Sequence, residues 1–429
     1  MNIDTDPNAE YDCSPNTKSK GFTQLMRLVL MTGKNPEILN DIKLVISKHK
    51  SLIDNKNDKG WTALMLACRN SNTWSNIDTV KTLIDAGADV NMQEKDQWTA
   101  LMMASICSNR DSNLETVKML IDAGSDVNMQ KKDQWTALMM ACRYSNSDSN
   151  LETVKMLIDA GADVNMQNEG QWTALMMASR YSNSDSNLGT VKMLLGAGAD
   201  VNMQKKNQWT ALMMASRYSN TDSNLKTVKM LIDAGADVNI QEEDQWTALI
   251  MASHYSNTDS NIETVKLLID AGSDINLQCN SGKTALLFAI KAINKTSNWA
   301  AINMLIDAST NMFLITKKGK TAFTINMDET DNLVKLYTNR QNFLIEQRTL
   351  KKLHYDKVLK RIPNQCQKIK LRPGGIGAKI LKTSFKIKSG QISIVDAYEK
   401  MVHKNSFILD YLGINLIDKF MLVFNITYQ

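Results

Sequence analysis

Aromatic and arginine side chains recur at a fixed interval in this chain, and their types suit binding better than catalysis. Six tryptophans stand 37 residues apart, and Arg or His followed by Tyr recurs at the same interval. Trp, Tyr and Arg are enriched at protein interfaces, where a large buried area meets a hydrogen-bond donor. The candidate partner-binding residues are Trp98, Trp135, Trp172, Trp209, Trp246, Arg143, Tyr144, Arg180, Tyr181, Arg217, Tyr218 and Tyr255.

These columns also have a structural interpretation. Each indole could pack on the neighbouring connecting segment, and each tyrosine could cover the helix turn beneath it. The sequence leaves both interpretations open.

Residues for catalysis or metal binding do not recur with the columns. Of the four histidines, only His254 lies inside the regular repeats, at a position that is Arg elsewhere. The six cysteines contain no CxxC pair, so neither zinc binding nor a disulfide framework is indicated. One Asp in each SNSDSN segment is too few ligands for Ca²⁺, which takes six to eight oxygens. We therefore predict no enzymatic activity, no cofactor and no metal.

The tryptophans mark a 37-residue repeat that must position all these side chains. A typical unit is QWTALMMASRYSNSDSNLGTVKMLLGAGADVNMQKKN, residues 171–207. Thr173 and Asn187 have side chains that cap helices, and apolar residues follow each at helical spacing. Gly198 supplies a left-handed residue after the second helix. The pattern predicts two helices joined by a polar turn, then an extended hairpin, in units that must stack to bury their apolar stripes.

These units resemble the ankyrin repeat, whose pattern is GxTPLHxA, a short turn, and VxxLLxxGAxVN. The resemblance covers residues 21–340, and the near-identical array is similar to ankyrin arrays of large DNA viruses such as mimivirus, or of intracellular bacteria. It implies a mainly α solenoid of helix-turn-helix units with connecting β-hairpins. It also implies that the Trp column lies at the hairpin base, on the concave side that ankyrin proteins use for binding.

The units depart from the family pattern in three ways. Their period is 37 residues rather than 33, with the extra residues in the turn between the helices. Ala and Met replace the family's Pro and His, so its His-centred bonds between repeats must be absent. The hairpin Gly, kept at Gly60, is Gln in five units, which costs about 1 kcal/mol each if that position requires positive φ.

The predicted organisation has five parts. A disordered N-terminal tail (1–20) precedes a divergent capping repeat (21–59), and the regular array (60–318) is followed by a decayed terminal repeat (319–340) and a basic, mostly helical C-terminal region (341–429). The seven repeats of the array are 60–96, 97–133, 134–170, 171–207, 208–244, 245–281 and 282–318.

Charge separates the array from the C-terminal region. Residues 60–281 hold 17 basic and 27 acidic side chains, a net charge of −10, which argues against nucleic-acid binding by the repeats. Residues 341–390 hold 13 basic and two acidic side chains, which is compatible with a nucleic-acid contact there.

No apolar run suits a transmembrane helix and no secretory signal is recognised. With the cysteine usage, this predicts an intracellular protein of the host-cell cytoplasm.

The predicted function is a non-enzymatic scaffold that binds a host or self protein through the concave face of the repeats. Two alternatives remain open. The C-terminal region could recruit a ubiquitin ligase, making the protein a substrate-receptor adaptor, or the basic segment 341–390 could tether the protein to nucleic acid.

Overall fold

A computed structural model describes most of the N-terminal three quarters of the chain. The described residues are 11–14, 17–256, 258–296 and 299–322, six positions between 325 and 340, and the pairs 368–369 and 392–393. The chain divides into two units, Met1–Tyr337 and Thr338–Gln429. The predictions for the C-terminal region, including its basic segment and ligase recruitment, therefore fall outside the described residues except for one strand pair.

Sixteen α-helices are described, and they alternate as the first and second helices of successive units, as the repeat pattern predicts. They are α1 (Gln24–Val29), α2 (Ile38–Lys48), α3 (Ala63–Arg69), α4 (Ile77–Asp85), α5 (Ala100–Ile106), α6 (Leu114–Asp122), α7 (Ala137–Arg143), α8 (Leu151–Asp159), α9 (Ala174–Arg180), α10 (Leu188–Gly196), α11 (Ala211–Arg217), α12 (Leu225–Asp233), α13 (Ala248–Tyr255), α14 (Ile262–Asp270), α15 (Ala285–Thr296) and α16 (Trp299–Asp307). A short 3-10 helix, Lys50–Leu52, follows α2.

Two short strand pairs lie outside the repeats. In the segment predicted as a disordered tail, β1 (Tyr11–Ser14) pairs antiparallel with β2 (Thr17–Ser19), an element that its polar composition does not predict. In the C-terminal unit, β3 (Lys368–Ile369) pairs antiparallel with β4 (Ile392–Ser393).

The helix ends follow the predicted local signals. The Thr173 hydroxyl accepts a hydrogen bond from the Met176 amide at 3.2 Å, and the Asn187 side chain accepts one from the Gly189 amide at 2.6 Å. Gly198 has a φ of 84°. Each side chain satisfies an amide that has no partner within its own helix, and the glycine allows the left-handed turn that ends α10.

The core follows from the stacking of units. First helices contact one another in series, and so do second helices. In α9 almost the whole ALMMAS segment is buried, with Leu175, Met176 and Met177 each exposing 2% or less, because neighbours lie on both sides. In α10 only one stripe, including Val191 and Leu194, is buried. Burying a Leu or Met side chain contributes about 1.5–3 kcal/mol, so each interface between units is strongly stabilising.

The connecting segments turn back tightly without forming β-strands, although the resemblance implied β-hairpins. The Asn168 amide donates to the Trp172 carbonyl at 3.1 Å, and the Gln171 amide donates to the Asn168 carbonyl at 2.7 Å. A three-residue loop closed in this way needs a left-handed residue at its end, and Gln171 has a φ of 60°. The adjoining Gln167 side chain donates both to the Gln171 carbonyl of its own turn and to the Gln204 carbonyl of the next unit.

We expect Gln171→Gly to raise the free energy of unfolding by about 0.5–1 kcal/mol, because left-handed backbone strains any residue with a Cβ and glycine's greater freedom when unfolded offsets only part of the relief. Urea unfolding followed by circular dichroism measures this. Gln167→Gly is the contrasting variant, since its side chain donates to the carbonyls of Gln171 at 2.8 Å and Gln204 at 3.0 Å. It should destabilise the protein. A loss of stability in both variants would contradict the strain at Gln171.

Buried hydroxyls take the place of the absent histidine bonds between repeats. The Ser145 hydroxyl lies 2.7 Å from the Thr190 hydroxyl and 3.3 Å from that of Ser186, both in the following unit. The same trio recurs along the array, as at Ser108 with Thr153 and Ser149. These polar groups are buried but satisfied, which avoids the penalty of an unpaired hydroxyl.

Candidate functional site

The arginine and tyrosine columns interleave into one stack. The Arg143 guanidinium carbon lies 3.3 Å from the ring centre of Tyr181 in the next unit and 4.9 Å from that of Tyr144. Arg180 stands in the same way between Tyr218 at 3.2 Å and Tyr181 at 5.0 Å. A guanidinium over an aromatic face is attracted by the ring quadrupole, more strongly where water is excluded. The stack therefore links successive units.

The aspartates of the inserted turns pair with these arginines. Arg143 Nη1 lies 2.6 Å from Asp185 Oδ2, and Arg180 Nη1 lies 3.2 Å from Asp222 Oδ2. The arginine side chains expose only 17% and 19% of their surface. From the sequence, these aspartates were placed in a polar turn with too few ligands for Ca²⁺, and their pairing with arginine was not predicted. Because the guanidinium groups already have intramolecular partners, the arginine column mainly supports the array, and the half-buried tyrosines are its remaining contact surface.

The stack changes character at its C-terminal end. The Arg217 guanidinium lies 4.1 Å from the Tyr255 ring centre and has no ion pair with a described residue. His254 then replaces arginine, and its ring stands edge-on 5.2 Å from Phe288 and 5.5 Å from Trp246. The last regular units are thus joined by aromatic packing rather than by an arginine.

The tryptophan column lies at the base of the connecting turns, and every indole is half-buried against the core. Lysines cover some of the rings. Lys131 Nζ is 5.3 Å from the Trp98 ring centre, and Lys205 Nζ is 5.4 Å from Trp172 and 5.9 Å from Trp209. Burial at this position lowers the pKa of Lys205, although Glu242 of the next unit opposes the shift. The indoles therefore have both a packing role and an accessible part.

Each connecting turn contains, just before its left-handed residue, three residues that we call the hairpin tip. The tips of the first five repeats are 94–96, 131–133, 168–170, 205–207 and 242–244. Where a tip begins with Glu or Asn, that side chain caps its own turn: Glu242 Oε1 accepts from the amides of Asp244 and Trp246, both at 3.0 Å. Where it begins with Lys, the side chain lies over tryptophan instead.

Backbone hydrogen bonds join each tip to the next. The amide of Glu169 donates to the Asp133 carbonyl at 3.0 Å, and that of Lys206 donates to the Gly170 carbonyl at 3.2 Å. The same bond recurs from Lys95 to Lys317. Because only backbone atoms take part, the side chains of the tips are free to differ while their positions stay fixed.

The tips are where the repeats differ most consistently. Their sequences are EKD, KKD, NEG, KKN and EED, whereas ALMMA and the TVKMLID segment change little. Their net charges run −1, +1, −1, +2 and −3. The middle residue of every tip is exposed, whereas the first is buried or half-buried. The sequence prediction of binding residues did not include them, although their unit-to-unit variation was visible in the aligned repeats.

Cys68 and Cys142 are buried in α3 and α7. Burial raises the pKa of the Cys68 and Cys142 thiols well above their ordinary value, which disfavours the reactive thiolate. The Asn128 side chain bonds the next unit with both ends of its amide: it donates to the Gly161 carbonyl and accepts from the Asp163 amide. Among the described residues, no helix combines the length and the apolar character needed to cross a bilayer.

Comparison with known proteins gives a consistent result. A family model of ankyrin repeats matches overlapping windows between residues 25 and 312, more than half of the chain. Among curated proteins of Acanthamoeba polyphaga mimivirus, the chain is 40% identical to ankyrin repeat protein L91 over 93 residues, which is 20% of this chain and 14% of the relative. It is 45% identical to ankyrin repeat protein L289 over 80 residues, 18% of this chain and 15% of the relative. The matched segments thus span only about a seventh of these relatives' length.

Proposed function

Because the chain belongs to the ankyrin repeat family, we propose that it is a non-enzymatic scaffold that binds a protein partner across its hairpin tips and the tryptophan column at their base. Ankyrin repeats are in general protein–protein interaction modules and are noncatalytic. The observation that supports this surface is that the largest charge differences between units lie in the tips, whose middle residues are exposed, on a hydrogen-bonded backbone framework. A binding surface needs such differences, because a partner cannot distinguish one unit from another when the units are identical.

The two parts of this surface have different roles. The accessible portions of Trp98, Trp135, Trp172, Trp209 and Trp246 supply apolar area, which dominates affinity at interfaces. The alternating tip charges select the partner and its register, since mismatched charges are costly and exposed ones steer association. The tip charges vary in sign, so the partner should carry an alternating pattern that complements them. The viral relatives and the cysteine usage favour the host-cell cytoplasm as its place of action.

A tip exchange tests this function. Replacing KKN at 205–207 by the NEG of 168–170 changes a net charge of +2 to −1. The turn should be kept, because Asn168 already caps this kind of turn in its own unit. In quantitative affinity capture from an Acanthamoeba lysate, we expect a partner retained by the native protein to fall by about tenfold, equivalent to the loss of a few exposed charge contacts.

The control for the tip exchange is Lys118→Gln, which removes an exposed charge from a second helix. It should leave capture unchanged, and circular dichroism should be native for both variants. If the exchanged protein retains the same partners at the same level as the control, the tips do not select the partner. Replacing Trp135, Trp172 and Trp209 by Ala then decides between two explanations. Reduced capture would mean that the tryptophans bind the partner, and unchanged capture would mean that the array does not bind it.

A further inference from the structure

The second helices of repeats 60–281 differ in net charge: it is −1 in four units and +1 in two. In α4, α6, α8 and α14 an acid, a lysine and a second acid recur, for a net charge of −1 each. In α10, Gly189 and Gly196 stand in place of both acids. In α12, Lys226 stands in place of the first acid. Both helices therefore have a net charge of +1.

The excess lysines of α10 and α12 are exposed. Lys192 and Lys226 form no ion pair with a described residue. Lys155, which occupies on α8 the position of Lys192, lies 3.6 Å from Glu152. Lys229 of α12 lies 3.1 Å from Asp233. Because α10 packs against α12, their lysines share one surface, which we call the basic patch: Lys192, Lys226 and Lys229.

The changes that create the basic patch run against helix stability. An acid in the first turn stabilises the positive end of a helix dipole, and α10 and α12 are without one. Lys226 places a positive charge at that end instead. Gly196 has no steric reason to be glycine, since a Cβ added there would meet no atom within 4 Å. Glycine in a helix is less stable than the residues found at this position in the other units.

We infer that the basic patch binds a short acidic segment of another polypeptide. An attraction to anions explains why the same reversal of net charge occurs in two adjoining units although it lowers the stability of their helices. The width of the patch decides the kind of anion. It spans two helices and is bordered by α8 and α14, each with a net charge of −1. An extended anionic surface such as a membrane or duplex would meet those acids as well, whereas a narrow acidic segment can follow α10 and α12 alone.

The test uses the full chain and an octaglutamate peptide with a terminal diazirine, which inserts into nearby residues on illumination. Total binding is not the measurement, because the basic segment 341–390 also attracts the probe. The sites of insertion are mapped by peptide mass spectrometry, and the four stretches 111–118, 144–155, 181–192 and 218–226 differ in sequence enough to be told apart. We expect labelling of the last two to exceed that of the first two by about fivefold, the effect of a few exposed charge pairs. An octaglutamine peptide should show no preference.

Two variants make the result decisive. Gly189→Glu with Lys226→Glu lowers the net charge of α10 from +1 to 0 and that of α12 from +1 to −1, and labelling of 181–192 should fall most of the way to the level of 144–155. Lys205→Gln with Lys206→Gln changes only a hairpin tip and should leave that labelling unchanged. Equal labelling of α8 and α10 in the native protein, or labelling of 181–192 that disappears in the tip variant, would overturn the inference. Neither result bears on partner capture by the tips, which the tip exchange measures separately.

Discussion

Replacing Gly33 with Ala is expected to undock the N-terminal capping unit while the central repeats stay folded. A Cβ at this position would lie 2.1 Å from the Thr73 carbonyl oxygen and 2.7 Å from the Trp74 carbonyl carbon. Both atoms belong to the backbone, so no side-chain rotation relieves the overlap. The Gly33 amide also donates to the Trp74 carbonyl at 3.0 Å, and this bond holds the two turns together. We expect a local loss of about 3 kcal/mol, at the upper end for overpacking.

Hydrogen exchange read by mass spectrometry measures this loss unit by unit. Amides of α1 and α2 should exchange faster, while those of α7 to α12 keep their native protection, because each unit contacts only its neighbours. Gly196→Ala is the matched control: a Cβ there meets no atom within 4 Å. It should leave stability unchanged or raise it by up to about 1 kcal/mol. Native protection of α1 and α2 in Gly33→Ala would contradict the close approach of the two turns.

Arg180→Met is expected to weaken the junction between two central units by about 2 kcal/mol, combining the loss of an ion pair with that of a cation–π contact. Methionine keeps much of the apolar stem, so the change isolates the guanidinium. That group stacks 3.2 Å from the Tyr218 ring centre and pairs with Asp222 at 3.2 Å. Asp222 is 41% exposed, and its recovery of hydration limits the penalty for losing its partner. Urea unfolding gives the change in free energy.

Arg217→Met separates the two contributions, because Arg217 stacks on Tyr255 without an ion pair to a described residue. Its cost should be about 1 kcal/mol, from the cation–π contact alone. Only the Arg180 effect should shrink as salt concentration rises. Equal losses in the two variants, with the same salt dependence, would show that the pair with Asp222 contributes nothing.

The parts of the fold that could be predicted from the sequence depend on local signals. Thr173 and Asn187 act on amides two or three residues away, and Gly198 follows its helix directly. A positive φ at Gln171 was raised as a condition, because Gly60 occupies the same place in another unit, and the observed φ is positive. Each of these features is determined within one unit, so composition and spacing were enough.

The connections between units could not be predicted in the same way. Asp185 was expected to form a turn, but its partner Arg143 lies 42 residues away, and Ser145 meets Thr190 across 45 residues. Which side chains meet depends on how the units are offset as they stack, and a periodic sequence fits several offsets equally well. The accessibility of the tryptophans was undetermined for the same reason. The hairpin tips were visible as a variable segment, but only their exposure and fixed positions distinguish binding residues from tolerated variation.

The bonds from tip to tip have a consequence for how such an array arises. Across residues 60–281, each junction contains the backbone bond between tips and the buried hydroxyl trio, both of which recur from unit to unit. Any unit can therefore follow any other, and the new junction forms the same bonds. Unequal recombination between the near-identical coding segments would lengthen or shorten the array by whole units without compensating mutations. Each event would also place a tip beside different tips. The order of charges along the surface can therefore change while the fold stays the same.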